Sequence, residues 1–469
     1  MIRQALADAR HRIPALALGA LLLWAPLPFA SITPRAAAAL EIGGFLALAL
    51  AASRAASLAP VRRSGWGAAA LVAVALLGLV QSISWPRGLV HAISPQHLAT
   101  VEPSRAVLGS TEPATLVPLS FDPATSRRTA LGWISCAALL AAATLVGDER
   151  RHRRLLLATL LAAAVFEVLY GAQGWFASST SIWGVEVPNT TARLRGTFVN
   201  ADHLALYLEI ALAVAFAWTY WTLRRSRDEP TVERRLLRLA PPLAVWALLF
   251  AGLTFTASRA GLAAAVGATL LQGLLTFRRH GRRRWVMVGA ALLGVGIAAA
   301  ATLGFEQAFG RWLGTSAYEL TLNVRLEADL AAASLWAAYP ALGTGLGAFA
   351  DVFAAVQPRD GLVWGHLHND WLELALTTGA LGLAAFLGGL IPLVRRLVVV
   401  LRQGHRSEDR AAAIAALGAL AAVAFHSLLD FGLTMPANAA TLAIVVGAAA
   451  GARAGDIPRR TVEEPQDQG

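Results

Sequence analysis

The sequence predicts an all-α polytopic membrane protein with about twelve transmembrane helices and a large external loop bearing an amphipathic helix. Three observations predict it. The 469 residues are 56% hydrophobic and 15% charged, with a mean hydropathy of +0.56, whereas a soluble domain carries about 25% charge. The apolar residues come in runs of about 20, the length that crosses a hydrocarbon layer of roughly 30 Å. The basic residues, all 40 of them arginine, fall largely in the short gaps between those runs.

In order, residues 1–12 and the apolar run to about Ala30 mimic a secretory signal. That run exceeds the usual apolar region of about 7–15 residues, so it reads as a retained first helix. Spans are expected near 13–31, 36–53, 66–85, 129–147, 155–174, 202–223, 240–257, 260–277, 285–304, 370–394, 411–430 and 435–452. The seventh and eighth are separated only by Ser258 and Arg259, which predicts a tight hairpin or re-entrant break. The tenth is expected to begin as a shallow helix that turns at Gly379. The chain thus divides into helices one to nine (1–304, with the 86–128 loop), an external loop (305–368), three C-terminal helices (369–452) and a disordered polar tail (453–469).

Orientation follows from the arginines. Taken on alternating sides of the spans, one side holds 29 of them and the other 11, although the second has the longer loops. The positive-inside rule then puts both termini in the cytoplasm and the 86–128, 175–200 and 305–368 loops outside. A net charge of +11 would suggest nucleic acid in a soluble protein; here it marks orientation, and the short Arg-rich connections such as 278–284 read as anchors to anionic headgroups. The 86–128 loop has six prolines and no long helical pattern. Cys136 is the single cysteine, which excludes an internal disulfide and a thiolate metal site. Residues 323–338 place Leu326, Leu330, Ala333 and Ala337 on one helical stripe, with Asn323 as N-cap and Pro340 as stop. Such a helix can lie on the membrane surface and roof a cavity.

The polar residues worth chemistry gather outside. Arg193 and Arg195 precede a span, Arg259 sits at the break between two, and Arg325 lies on the roof helix. Charges at membrane depth normally line a cavity or bind a partner, and guanidinium is a permanent fork of donors that suits phosphate or pyrophosphate. Plainer roles stand beside these: a helix-end snorkel for Arg259, an ion pair with Asp329 for Arg325, and a headgroup contact for one of Arg193 and Arg195. His368 opens the tenth span and is followed by Asn369, Asp370 and Glu373. A neutral imidazole can take a proton from an attacking hydroxyl while a carboxylate orients it; the alternative is a capping or structural histidine. His366 and His368 form half a metal site that no Cys or HExxH completes, so no metal is expected, and no cofactor. Gly343, Gly345 and Gly347 superficially suggest nucleotide binding, but no strand precedes them, and they read better as a turn allowing close backbone approach.

At these residues the sequence resembles the O-antigen ligase and O-antigen polymerase superfamily of bacterial envelope glycosyltransferases. His368-Asn369, Gly379 and Gly382 are similar to its histidine–asparagine…glycine…glycine motif. Pro340-Ala-Leu-Gly343-Thr-Gly345-Leu-Gly347-Ala-Phe349 resembles the PxLGxGxGxF stretch before it. Arg195-Gly196-Thr197-Phe198 with Asn200 and His203 resembles RGTFxNxNH, with Asp202 where Asn is commoner. Thr256-Ala-Ser258-Arg259 resembles the TxSR turn, and HSLLDF at 426–431 a late-span segment. The resemblance covers roughly 190–450. It implies a GT-C-like, metal-independent transferase at the periplasmic face of the bacterial inner membrane. Its donor would be an undecaprenyl-diphosphate-linked glycan. Its acceptor would be a hydroxyl on lipid A core, on a second lipid-linked glycan or on a protein. His368 would activate the acceptor, Arg195 and Arg259 would hold the diphosphate, with Arg325 and Arg193 as further contacts. His366, Asn200, His203, Asn369, Asp370 and Glu373 would support them. The main alternative is a transporter or flippase for lipid-linked glycans; within the family, a protein O-oligosaccharyltransferase is another. The stretch 118–123 leans towards an exopolysaccharide or polymerase-like member.

Overall fold

The computed structural model describes residues 2–107, 109, 114–187, 193–276, 294, 322–358, 363–404 and 406–454. Eleven expected spans appear as α-helices: α1 (Ile2–Trp24), α2 (Pro34–Arg54), α3 (Gly65–Ser82), α6 (Pro123–Gly147), α7 (Arg150–Phe176), α8 (Ala201–Arg225), α9 (Val232–Phe255), α10 (Arg259–Thr276), α13 (Asp370–Gln403), α14 (Ser407–His426) and α15 (Pro436–Ala450). Among the described residues nine of these are long and apolar enough to cross a membrane; the apolar stretches of α1 and α15 are shorter. The ninth expected span (285–304), the 278–284 arginines, Arg311, Arg359 and most of the tail lie outside the described residues. The chain is an all-α, multi-pass membrane protein.

α8 is the hub. Every residue from His203 to Ala217 is buried, and α9, α10 and α14 pack against it. A helix apolar on all sides belongs in the middle of a bundle. Outward-facing leucines such as Leu46, Leu76, Leu270 and Leu381 are exposed, as a lipid-facing surface requires.

The two ends of the bundle differ. One is closed by arginines acting within the protein. Arg63 and Arg453 both bind Asp148, and Arg63 also donates to the Gly451 carbonyl. Arg153 joins the buried Asp409 to the Gly147 carbonyl, and Arg396 bonds the carbonyls of Ala450 and Ala452. Cations here neutralise the negative C-terminal ends of α6 and α15. The headgroup-anchor expectation is therefore corrected for these four, which are structural clamps.

The opposite end collects the N-termini of α6, α8, α13 and α15, the C-termini of α7, α9 and α14, and three extra pieces. The 86–128 loop, expected to lack long helices, holds α4 (Arg87–Ile93) and α5 (Pro95–Val107), plus strands β1 (Ser84–Pro86) and β2 (Leu116–Pro118), paired antiparallel. A second hairpin joins β3 (Ser181–Ile182) to β4 (Val185–Glu186). The third piece is α11 (Leu322–Ala338), followed by a glycine turn and the short α12 (Phe349–Phe353).

α11 forms where expected and ends before Pro340, but Asn323 lies inside the helix, whose described residues are Leu322–Ala338. The face packed on the protein holds Ala328 and Ala332 with Val324, Leu335 and Trp336, over Phe349, Phe353, Trp364 and Leu367. Leu326 and Leu330, on the expected stripe, are exposed.

Candidate active site

The glycine turn and the start of α13 are one assembly. α13 breaks at Gly379, where φ is +65° and ψ −173°. The 24 residues from 380 to 403 then run for about 36 Å at 1.5 Å per residue, enough to span. At the break the 340–347 turn inserts. Ala380 N–H donates to the Pro340 carbonyl at 2.8 Å and Leu381 N–H to Ala341 at 3.2 Å. In return Thr344 and Gly345 N–H donate to the carbonyls of Leu376 and Thr377, each at 3.0 Å. Groups that lost helical partners at the kink thus find new ones. Gly343 (φ +73°) lies so close that a Cβ would sit 2.5 Å from the Gly379 nitrogen. Gln81, fully buried on α3, staples both sides: its amide donates to the Leu342 and Thr377 carbonyls and accepts from Leu346 N–H. The 118–123 stretch docks here too, Phe121 N–H donating to the Thr344 carbonyl while Asp122 caps α6.

This frame fixes the histidines. Asn369 caps α13 by accepting from Leu372 N–H, and its amide donates to Asp329 of α11 at 3.3 Å. His368 Nδ1 lies 2.9 Å from Asp430 Oδ1. The Asp430 side chain is 1% exposed and that of His368 13%, so only the imidazole can meet a substrate. Burial would raise the Asp430 carboxyl, but the hydrogen bond and charge of His368, with His203 and His426 near, hold it well below the usual range. His366 Nδ1 lies 2.9 Å from Glu373, which also accepts from Leu367 N–H. Burial alone would lower His366; the Glu373 bond and charge outweigh it and raise its pKa. Phe431 joins three histidine rings, stacking on His366 at 5.0 Å and meeting His368 and His203 edge-on at 4.9 and 4.7 Å.

The carboxylate that orients His368 is thus Asp430, and not Asp370 or Glu373, which follow it on the helix. Asp370 accepts from Ser427 Oγ and Leu433 N–H and so holds the 427–433 loop that carries Asp430. Behind it His426 pairs with Glu209 at 2.7 Å, both fully buried.

The arginines divide. Arg325 donates to the Leu429 carbonyl at 2.7 Å, next in the chain to Asp430; among the described residues it forms no ion pair with Asp329. Arg193 is closed by Asp202 at 2.6 Å and the Thr256 carbonyl at 2.6 Å. That tie locks the 193–200 segment to the break between α9 and α10, where Ala257 has φ +53°. Arg259 is exposed at the same turn. Arg195 points elsewhere, donating to the Ser179 carbonyl at 3.3 Å beside the β3–β4 hairpin. Gly196 (φ +57°) and Thr197 are gripped by Glu167 of α7, which accepts from Thr197 N–H and Oγ1. Asn200 caps α8, and the His203 carbonyl accepts from Asn438. His368, Asn369, Arg325 and Asp430 come together directly; Arg193 joins them through Asp202; Arg195 stands apart.

No curated protein matches this chain. Residues 243–387, running from α9 through the Arg259 turn, α11 and the glycine turn to just past the Gly379 break, match the family model described as O-antigen ligase. Over this segment, less than half of the chain, the sequence is similar to that family.

Proposed function

We propose that the protein transfers a glycan from undecaprenyl diphosphate to an acceptor hydroxyl, without a metal, at the periplasmic face of the inner membrane. The observation that carries the reading is the His368–Asp430 pair at the bundle end away from the arginine clamps: an imidazole open on one side, itself within the matched segment, backed by a buried carboxylate from beyond it. Asp430 holds one ring nitrogen, so the other faces the acceptor. As the acceptor oxygen attacks the anomeric carbon, its proton passes to that nitrogen. The bond from the anomeric carbon to the diphosphate oxygen breaks, and the electron pair leaves on undecaprenyl diphosphate. Arg325 and Arg259 supply fixed positive charge for that leaving group, and such preorganised charge is commonly the largest catalytic contribution; Arg195, which stands apart, meets the diphosphate as the donor arrives. Arg193, already ion-paired, holds the segment in place. A transporter would gather its polar groups near the midplane between repeats; these gather at one end.

Incubating the purified protein with an undecaprenyl-diphosphate-linked oligosaccharide and candidate acceptors (lipid A core, a second lipid-linked glycan, a protein), then sizing the products, tests the assignment. In that assay Arg259→Lys is expected to lose roughly tenfold in kcat/KM, about 1.4 kcal/mol, because ammonium keeps the charge but not the fork. Unchanged donor use by this variant would remove Arg259 from the clamp. Transfer is also expected to continue at full rate in excess EDTA; loss of turnover restored by a divalent cation would replace the metal-free mechanism.

A further inference from the structure

The surface beside Arg195 is built from rings. Phe166 and Tyr170, four residues apart on α7, share a helix face, and their rings lie 15° from parallel at 5.8 Å. Trp183, from the β3–β4 hairpin, stacks on Tyr170 at 4.6 Å and on Phe166 at 6.3 Å, with interplanar angles of 29° and 16°. Phe166 remains 39% exposed and Trp183 49%.

The seat of Trp183 is unusual. The two residues linking β3 to β4, Trp183 and Gly184, have φ of +54° and +76°, the signature of a type I′ turn that ordinarily takes Asn-Gly. A bulky residue at positive φ is strained, and such strain persists where surrounding structure enforces it. Here two bonds do so: Trp183 N–H donates to the Tyr170 hydroxyl and its indole Nε1 to the Leu27 carbonyl, both at 2.8 Å. Both polar ends are satisfied, and a ring face is left open.

Arg195 is fixed next to this plane. Glu167, one residue from Phe166, grips Thr197, and a Cβ on Gly196 would stand 2.3 Å from the Glu167 carboxylate. Among the described residues no carboxylate lies within ion-pair distance of Arg195, and its one hydrogen bond is the long one to Ser179. A permanent cation with free donors thus adjoins a flat apolar plane on the outer surface of a bundle helix.

We propose that this plane is the track on which the isoprenoid tail of the donor lies, its diphosphate at Arg195 on the way to His368. The proposal rests on the donor assignment above. Branched, unsaturated isoprene units lie flat against ring faces, and the charge of Arg195 complements the diphosphate. An ordinary interfacial aromatic belt requires neither parallel rings nor a strained tryptophan.

The test uses the full chain in nanodiscs and equilibrium binding of undecaprenyl diphosphate and of short-chain geranyl diphosphate. Trp183→Asn supplies the residue that the turn prefers, so the hairpin keeps its fold. It should weaken undecaprenyl diphosphate about tenfold, or 1.4 kcal/mol, and leave geranyl diphosphate unchanged, whereas Arg195→Gln should weaken both. Equal loss for both ligands in Trp183→Asn, or no loss for either, overturns the track and leaves an aromatic belt only. Binding is read without turnover. Tail-dependent binding by a wild-type protein that transfers no glycan would therefore refute the reaction and keep the track. Normal transfer with a tail-indifferent Trp183→Asn would do the reverse.

Discussion

His368→Ala is expected to lower the rate of glycan transfer by about 10²–10⁴-fold, the usual contribution of a general base, with normal expression and membrane insertion. The variant should remain folded because the imidazole is partly open and its partner Asp430 still accepts from Phe431 N–H. Asn369 still caps α13 and Glu373 still holds Leu367 N–H. Asp430→Asn separates a base from a mere ring in place. The amide keeps the size of the side chain but loses the charge that backs the imidazole, so kcat should fall while KM for the donor stays near wild type. An Asp430→Asn enzyme as fast as the parent would leave His368 without its orienter. A His368→Ala enzyme that builds polymer at the normal rate would remove the base altogether, and the reaction with it. Because Asp430 is almost fully buried, Asp430→Ala is the wrong probe: it would leave a hole and an unpaired ring, and loss of folding could imitate loss of chemistry.

The ease of reading the bundle from sequence and the difficulty of reading the site have one physical origin. Spans are local: about 20 apolar residues must be helical in a bilayer because no other arrangement satisfies the backbone. Gly379 was legible too, as a glycine in the middle of a long apolar run, and so was the Ser258–Arg259 break. The partner of His368 was not legible. Asp430 lies 62 residues further along the chain, on the far side of α14, while Asp370 and Glu373 stand close by in sequence and point to loops. The segment 426–431 was visible only as a likeness, with nothing local to say that its aspartate meets His368. Gln81 is a similar case, a lone amide in an apolar run whose three contacts all come from residues more than 250 positions away. Arg193 and Arg195 are two apart, yet one turns inward to Asp202 and the other out to the hairpin, a division made by the Gly196 backbone and Glu167. The roof helix was found by periodicity, but the face that packs on the protein, with Ala328, Ala332 and Trp336, was not legible, since alanine offers little contrast between sides.

Gly379→Ala is expected to destabilise the folded protein by about 3–5 kcal/mol, a large change for one methyl group. Two costs combine. The φ and ψ of Gly379 lie in a region open essentially to glycine alone, where any other residue is strained by about 1–3 kcal/mol. The added Cβ would also stand 2.2 Å from the Ala341 carbonyl oxygen, and its nearest neighbours are all backbone atoms of Ala341 and Leu342, with no flexible side chain to move. Relief requires the glycine turn to withdraw. That breaks up to four backbone bonds across the kink, each worth about 1 kcal/mol net, and the Gln81 staple with them. Thermal unfolding in detergent should show a clearly lowered midpoint, and transfer should fall with it, since His368 and Asn369 stand at the start of the same short helical segment. Gly388→Ala is the matched control. It lies on the same helix beyond the break, with open space around the position of a Cβ, and alanine is the better helix former by about 1 kcal/mol. Its midpoint should hold or rise. If the two alanine variants unfold at the same temperature, the turn does not lock the kink, and the frame on which the catalytic geometry depends must be sought elsewhere.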